Sequence, residues 1–190
     1  MSQFCLTSTM WFFLTWFPTY LIDYRGIDIK SSGFLIALPY LAATVGIVSG
    51  GAVSDALLRH GHSLGFSRKT PIVIGLLLSM TIGLANFSNS TSSAVIWLTI
   101  AFFGNGFGSI TWSLVSTLAP ARLIGTTGGM FNFVGNLSSI VTPLVIGFLV
   151  SDTDFAPALL YIVGVSLVGI LAYVFGIGKL ERVTPASERA

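Results

Sequence analysis

The sequence predicts an all-α membrane protein built from six transmembrane helices. All nine Lys/Arg and all seven Asp/Glu residues fall in connectors or at the C-terminus, and none falls inside six apolar stretches. Hydrophobic residues make up 53% of the chain and charged ones 8%, with a mean hydropathy of +0.87, a balance foreign to soluble domains of this size. Each stretch is close to the roughly 20 residues that cross a hydrocarbon core of about 30 Å. In lipid the backbone must satisfy its own hydrogen bonds, so stretches of this kind are helices.

The first span, Gln3–Ile22, has no basic leader and no A-x-A cleavage site, so a removable signal peptide is not expected. It contains the single Cys5, read as a small buried hydrophobe, with no disulfide expected within the chain. Trp16 and Tyr20 suit either an aromatic belt at the membrane surface or the wall of a cavity. The second span, Ser32–Ser54, carries Gly46-x-x-x-Gly50, a small-xxx-small pattern for close helix packing. The third, Pro71–Phe87, and the sixth, Pro157–Gly178, are nearly pure Ile, Leu, Val, Gly and Ala and are expected to face lipid. Together the spans define a bundle over residues 1–178, followed by a tail over 179–190.

The fourth span, Ser93–Thr117, and the fifth, Thr126–Val150, differ from the others. Asn105, Ser109, Trp112, Ser113 and Ser116 step by three and four along the fourth, which places them on one helical face. Gly125, Gly129, Asn132, Asn136, Ser139 and Pro143 do the same along the fifth. A polar stripe in lipid must face protein or water. The short connector Leu118–Gly125 makes these spans an antiparallel hairpin, with Trp112 and Asn132 at matched depth, about 8–10 Å inside the membrane. A shared ligand cavity is the expectation. The alternative is that the asparagines only bond across helices, while Gly104, Gly108, Gly125 and Gly129 serve packing.

Orientation follows from the basic residues. Arg59, Arg68, Lys69, Arg122, Lys179, Arg182 and Arg189 fall on one side of the membrane, and Arg25 and Lys30 on the other. The positive-inside rule puts the larger group, and both termini, in the cytoplasm, and Asp152 and Asp154 outside. The net charge of +2 thus reflects topology, and no nucleic-acid partner is expected.

Enzymatic readings find no support. The sequence has no HExxH, no GxSxG and no acid pair. Gly104-Asn-Gly-Phe-Gly108 lies inside a membrane helix, without the strand that a dinucleotide fingerprint needs. His60 and His62 sit in a connector with only Asp55 as a nearby carboxylate, a poor metal site. No metal and no cofactor are expected. The sequons at Asn86 and Asn89 matter only in a glycosylating pathway.

The connector after the second span reads Gly50-Gly51-Ala-Val-Ser-Asp55-Ala-Leu-Leu-Arg59, followed by Arg68-Lys69. It resembles the signature loop of the major facilitator superfamily, in which a small residue precedes an acid by four positions and basic residues follow. Gly51, Asp55, Arg59, Arg68 and Lys69 carry that likeness. Ala56 stands where a basic residue often follows the acid. Trp11-Phe-Phe-Leu-Thr-Trp-Phe-Pro-Thr-Tyr20-Leu, Ser109-Ile-Thr-Trp-Ser-Leu-Val115 and Gly128-Gly-Met-Phe-Asn-Phe-Val-Gly-Asn136 are similar to segments of the anion:cation symporter family, above all its glucarate, galactarate, galactonate and hexuronate transporters.

The resemblance covers nearly the whole chain and implies the C-terminal six-helix bundle of a twelve-span transporter, with its 3+3 inverted repeat. The implied partners are a sugar-acid anion, the lipid bilayer and a missing N-terminal six-helix half. The implied location is the bacterial inner (plasma) membrane. Substrate contacts implied by the resemblance are Gln3, Ser109, Thr111, Trp112 and Asn132. Trp16, Tyr20, Asn105, Ser113 and Asn136 are candidates for the cavity lining. Thr111 lies about 200° around the helix from Ser109 and so departs from the stripe. The chain alone is expected to be inactive. The alternatives are a truncated or non-transporting membrane assembly protein, or a transporter half for a different organic anion.

Overall fold

A computed structural model describes residues 2–151 and 154–176. Asp152 and the tail with Lys179, Arg182 and Arg189 lie outside the described residues. Those residues form helices throughout, apart from short connectors and one isolated bridge between Ser151 and Asp154. Five helical segments are long and apolar enough to cross a membrane: Gly33–Arg59, Leu64–Phe87, Thr91–Thr117, Ile124–Leu149 and Ala156–Gly176.

The first expected span is also helical, in three pieces: α1 (Ser2–Thr15), α2 (Phe17–Thr19) and a π turn over Tyr20–Tyr24. Hydrogen bonds continue through the break, from Trp16 N to Phe12 O and from Tyr20 N to Trp16 O, both at 2.8 Å. Pro18 causes the interruption. It has no N–H to give to the carbonyl four residues back, at Leu14.

The second segment is one helix, α3 (Ile29–Arg59), and the third is α4 (Leu64–Ser79) continued by a 3₁₀ stretch over Met80–Phe87. Ser63 caps α4 by accepting from Phe66 N at 3.3 Å, as an N-cap serine does. The third span therefore begins seven residues before the expected Pro71, and Arg68 and Lys69 sit in its first turns. The fourth is α5 (Thr91–Phe107), a 3₁₀ turn over Gly108–Ile110, and α6 (Thr111–Leu118). The fifth is α7 (Ile124–Asn136) and α8 (Ser138–Leu149), and the sixth is α9 (Ala156–Leu171) with a π turn over Ala172–Gly176.

The α7–α8 break has a local cause. The Gly135 carbonyl accepts the Ser138 hydroxyl at 2.7 Å, with the Thr7 hydroxyl of α1, which donates to Gln3 O, 3.0 Å away. Side-chain donors drawn into a helical ladder in this way bend it.

Bilayer chains are as apolar as leucine, so helices in lipid are held by packing rather than by hydrophobic exclusion. Here α5 is clamped on two sides by backbone contact. A Cβ at Gly46 or Gly50 of α3 would lie 2.2 Å from the carbonyl oxygens of Phe103 and Phe107, and one at Gly106 would lie 2.1 Å from that of Ala43. On the other side, a Cβ at Gly75 of α4 would lie 2.5 Å from Gly104 O. Glycine alone permits these approaches. Gly46, Gly50, Gly104 and Gly108 thus serve packing as expected, whereas Gly125 and Gly129 face open space.

Two aromatic and aliphatic clusters fill the bundle. One gathers Phe12, Phe13, Phe17 and Leu21 with Ile82, Leu98, Phe102, Ile146, Phe155 and Ile162. The Phe13 and Phe102 rings stack at 4.0 Å. The other joins Cys5 and Leu6 to Ile72, Leu76, Leu114 and Tyr173. The fourth span is the most buried of the five and the second and fifth are the least. The third and sixth lie between these, with most of each on the surface of the bundle and one face packed inward. Ser79 of the third is fully buried, donates to Gly75 O at 2.9 Å and lies 3.2 Å from Ala101 O, so it faces the fourth span.

Candidate functional site

The breaks in the fourth and fifth spans flank the same part of α1. There, Gln3 Oε1 accepts from the Thr111 hydroxyl at 2.9 Å, and a Cβ at Gly135 would lie 2.6 Å from Gln3 Cγ. Gln3 is 9% exposed and Thr111 is 1% exposed. Gln3 lines a cavity of about 390 Å³ together with Leu123, Thr126, Thr127, Met130, Phe131 and Val134. Helix α7 supplies most of this wall because it is among the least covered parts of the bundle.

Asn132 and Asn136 lie on the exposed side of α7. They are joined to each other, Asn136 Nδ2 donating to Asn132 Oδ1 at 2.5 Å and to Asn132 O at 2.9 Å. This pairing lies along one helix, so neither amide is taken up in holding a second helix. Trp112 is 47% exposed, and its ring meets Phe131 edge-on at 5.4 Å. Trp112 thus meets the fifth span through Phe131, while the Asn132 side chain is joined to Asn136. Ser109 is half-buried in the 3₁₀ turn, and Ser113 donates to Ile110 O at 2.7 Å.

Other candidates lie elsewhere. Asn105 is 9% exposed, and its Nδ2 donates to Leu6 O at 2.7 Å, which ties α5 to α1 away from the Trp112 face. Tyr20 is 3% exposed and packs on Phe155 at 5.1 Å, with its hydroxyl accepting from Arg25 Nε at 2.8 Å. Trp16 packs edge-on against Phe155 at 6.2 Å and close to Gly147. Both aromatics thus belong to the cluster around Phe155, Tyr20 buried within it and Trp16 half-buried against it. Phe131, Thr126, Thr127 and Thr7 were not singled out in the sequence. Thr126, Thr127 and Phe131 do flank the fifth-span stripe within one helical turn.

In the connector after the second span, Arg68 Nη1 pairs with Asp55 Oδ1 at 3.4 Å and donates to Ser54 Oγ at 3.1 Å. Ser54 Oγ in turn donates to Ser67 O at 2.9 Å. Asp55 thus reaches across to the next helix. Arg59 is exposed at the end of α3, and Lys69 lines a cavity of about 250 Å³ with Tyr173. Gly51 meets nothing within 4 Å; Gly50 makes the close approach to the Phe107 carbonyl. Among the described residues no three His, Cys, Asp or Glu side chains gather into a metal site.

The fold is thus a bundle of apolar helices with a half-open, mostly apolar wall into which Gln3, Thr126 and Thr127 bring an amide and two hydroxyls. The Major Facilitator Superfamily profile matches residues 1–143, and the chain belongs to that family. It is 54% identical over 183 residues to the D-galactonate transporter of Escherichia coli O6:H1, covering 96% of this chain and 43% of that protein. Two proteins named "Probable galactarate/D-glucarate transporter" are also similar. GudP of Bacillus subtilis is 43% identical over 96% of this chain and 40% of its own length, and GarP of Escherichia coli K12 is 44% identical over 95% and 41%. The chain therefore spans about two fifths of the length of the curated relatives it matches. The resemblance read from the sequence is borne out in these sugar-acid transporters, as is the integral-membrane reading.

Proposed function

We propose that this chain is the C-terminal half of a secondary active transporter that carries sugar acids such as galactonate, glucarate, galactarate or hexuronate together with protons, and that it is not an enzyme. The observation that carries this reading is the 54% identity to the D-galactonate transporter along 96% of the chain. The site chemistry supports it. Gln3, Asn132 and Asn136 offer amide donors and acceptors suited to a polyhydroxylated chain. The face of Trp112 suits the carbon side of such a molecule. Ser109 and Ser113 are candidates for hydroxyl contacts from the same helix.

The six expected spans, as read from the sequence, carry no Asp, Glu, His, Lys or Arg. A symporter needs a membrane-embedded group that changes charge, so proton coupling and recognition of the substrate carboxylate fall to the missing half. Alternating access also requires one bundle to rock against another. The reading places the chain in the bacterial plasma membrane with both termini cytoplasmic, which the charge count supports.

The test is uptake of labelled D-galactonate into proteoliposomes under a pH gradient. Vesicles with this chain alone should accumulate none, and vesicles in which it is joined to a matching N-terminal half should accumulate it. Proton-driven uptake by the 190-residue chain alone would overturn the reading.

A further inference from the structure

We propose that Thr111 is a positioning residue: its hydroxyl fixes the amide of Gln3 so that Gln3 presents only N–H donors to the ligand. The proposal rests on the transporter reading and assigns a role within that site.

Threonine in a helix usually donates its hydroxyl to the carbonyl four residues back, as Thr15 does to Trp11 O at 2.6 Å and Thr70 to Phe66 O at 2.8 Å. Thr111 opens a new helix after the 3₁₀ turn over Gly108–Ile110. Its hydroxyl turns instead to Gln3 Oε1 at 2.9 Å, while the nearest carbonyl alternative, Ser109 O, is 3.4 Å away. A hydroxyl has one proton to give, and the shorter, side-chain partner takes it. Thr111 is 1% exposed, so a ligand does not reach it directly.

The stem of Gln3 is held as firmly as its head. Gly135 leaves the space that Cγ occupies, the Gly135 carbonyl is held by the Ser138 hydroxyl, and the backbone carbonyl of Gln3 itself takes the Thr7 hydroxyl. The amide carbonyl is then committed to Thr111, and the NH₂ group is the part of Gln3 left to face the cavity it lines. Such a group recognises an acceptor, here the lone pair of a sugar hydroxyl. With the Thr111 hydroxyl gone, the amide is free to turn its oxygen outward, toward the same substrate atom.

The test is a double-mutant cycle in the full-length transporter carrying this chain, with D-galactonate uptake as the readout. Thr111→Val should raise KM about five- to a hundredfold, the range for losing one buried hydrogen-bond partner, and leave kcat within about twofold. Thr111→Ser, which keeps the hydroxyl, should stay within about threefold of the parent. Gln3→Ala with Thr111→Val should be no worse than Gln3→Ala alone, because Thr111 acts only through Gln3. Multiplicative losses in the double variant, or a silent Thr111→Val, would overturn the proposal. Absence of galactonate uptake by the parent would count against the transporter reading instead. The cycle run on thermal midpoints in detergent then decides the proposal: a Thr111→Val shift that vanishes in the Gln3→Ala background supports it, and independent, additive shifts sink it.

Discussion

Arg25 closes the end of the third span, its Nη2 donating to Ala85 O at 2.6 Å and its Nη1 to Ser88 O at 2.9 Å. These carbonyls lie at the end of the helix, where the Ala85 carbonyl also takes the Ser88 N–H at 3.3 Å and the intrahelical ladder runs out. The guanidinium also stands 5.4 Å from the Tyr20 ring centroid, within cation–π range. One of the two basic residues that fall on the minority side of the charge count is thereby explained: it caps a neighbouring helix. Arg25→Ala should lower the thermal midpoint of the purified protein, the loss corresponding to about 1.5–3 kcal/mol for charged hydrogen bonds. Arg25→Lys should recover only part of it, since a single ammonium does not reproduce the fork. An unchanged midpoint in Arg25→Ala would count against the cap.

The two adjacent glycines of the signature connector should behave oppositely. Gly50→Ala drives a methyl into the Phe107 carbonyl, 2.2 Å from the new Cβ, and should sharply reduce the yield of monodisperse protein on size-exclusion chromatography. Gly51→Ala meets nothing within 4 Å and should be neutral or stabilise by up to about 1 kcal/mol, the helix-propensity gain. Equal behaviour of the two variants would mean that α3 and α5 do not cross as described.

Single cysteines at His62 and Asn89, with Cys5 replaced, should label from opposite sides of the membrane. Both positions are exposed in connectors, and His62 is preferred to Ser63 because Ser63 caps α4. The expected outcome with an impermeant maleimide on intact cells is labelling of Asn89→Cys and protection of His62→Cys. Labelling of both would exclude the positive-inside orientation.

In the full-length transporter, Asn132→Ala and Trp112→Ala should weaken D-galactonate uptake about five- to hundredfold without loss of membrane insertion, as expected for buried amide and stacking contacts in the loaded state. Ser79→Ala is the contrast. It removes a hydroxyl whose nearer acceptor is Gly75 O of its own helix, with Ala101 O of the fourth span second; even a full interhelical bond averages about 0.6 kcal/mol in a membrane protein, so the change should move the thermal midpoint slightly and leave KM unchanged. A KM change in Ser79→Ala as large as in Asn132→Ala would identify all three as packing residues.

Hydropathy and charge made the spans legible because lipid imposes a single rule on every residue it touches. The breaks were not legible in the same way. A face drawn at 100° per residue assumes an unbroken α-helix, and the 3₁₀ turn at Gly108–Ile110 resets that count just before Thr111. This is why Asn105 turns in toward Leu6 while Trp112 stays exposed, although both fell on one drawn stripe. The Gln3–Thr111 bond joins residues 108 positions apart, and no local pattern encodes such a pair. The choice between Gly50 and Gly51 was legible in part: the Gly46-x-x-x-Gly50 spacing marked Gly50 for close packing, whereas the helix it meets, α5, was not readable from that spacing. The Asn132–Asn136 step of four, by contrast, was fully local, and the structure keeps both residues on one side.

The clamp on α5 makes its register unforgiving. Contacts at Gly104 on one side and at Gly106 on the other place two opposed faces of one helix against foreign backbone at the same level of the bundle. A single inserted or deleted residue between Leu98 and Gly104 would turn everything beyond it by about 100°, bringing Asn105 or Phe107 to seats that admit no side chain. Both contacts would fail together, with no compensation available from a rotamer change. The hairpin connector over 118–125 is under no such constraint, because Gly125 faces open space. Length variation among homologous chains should therefore collect in that connector and be missing from α5, so that the helix acts as a ruler against which the rest of the bundle is set.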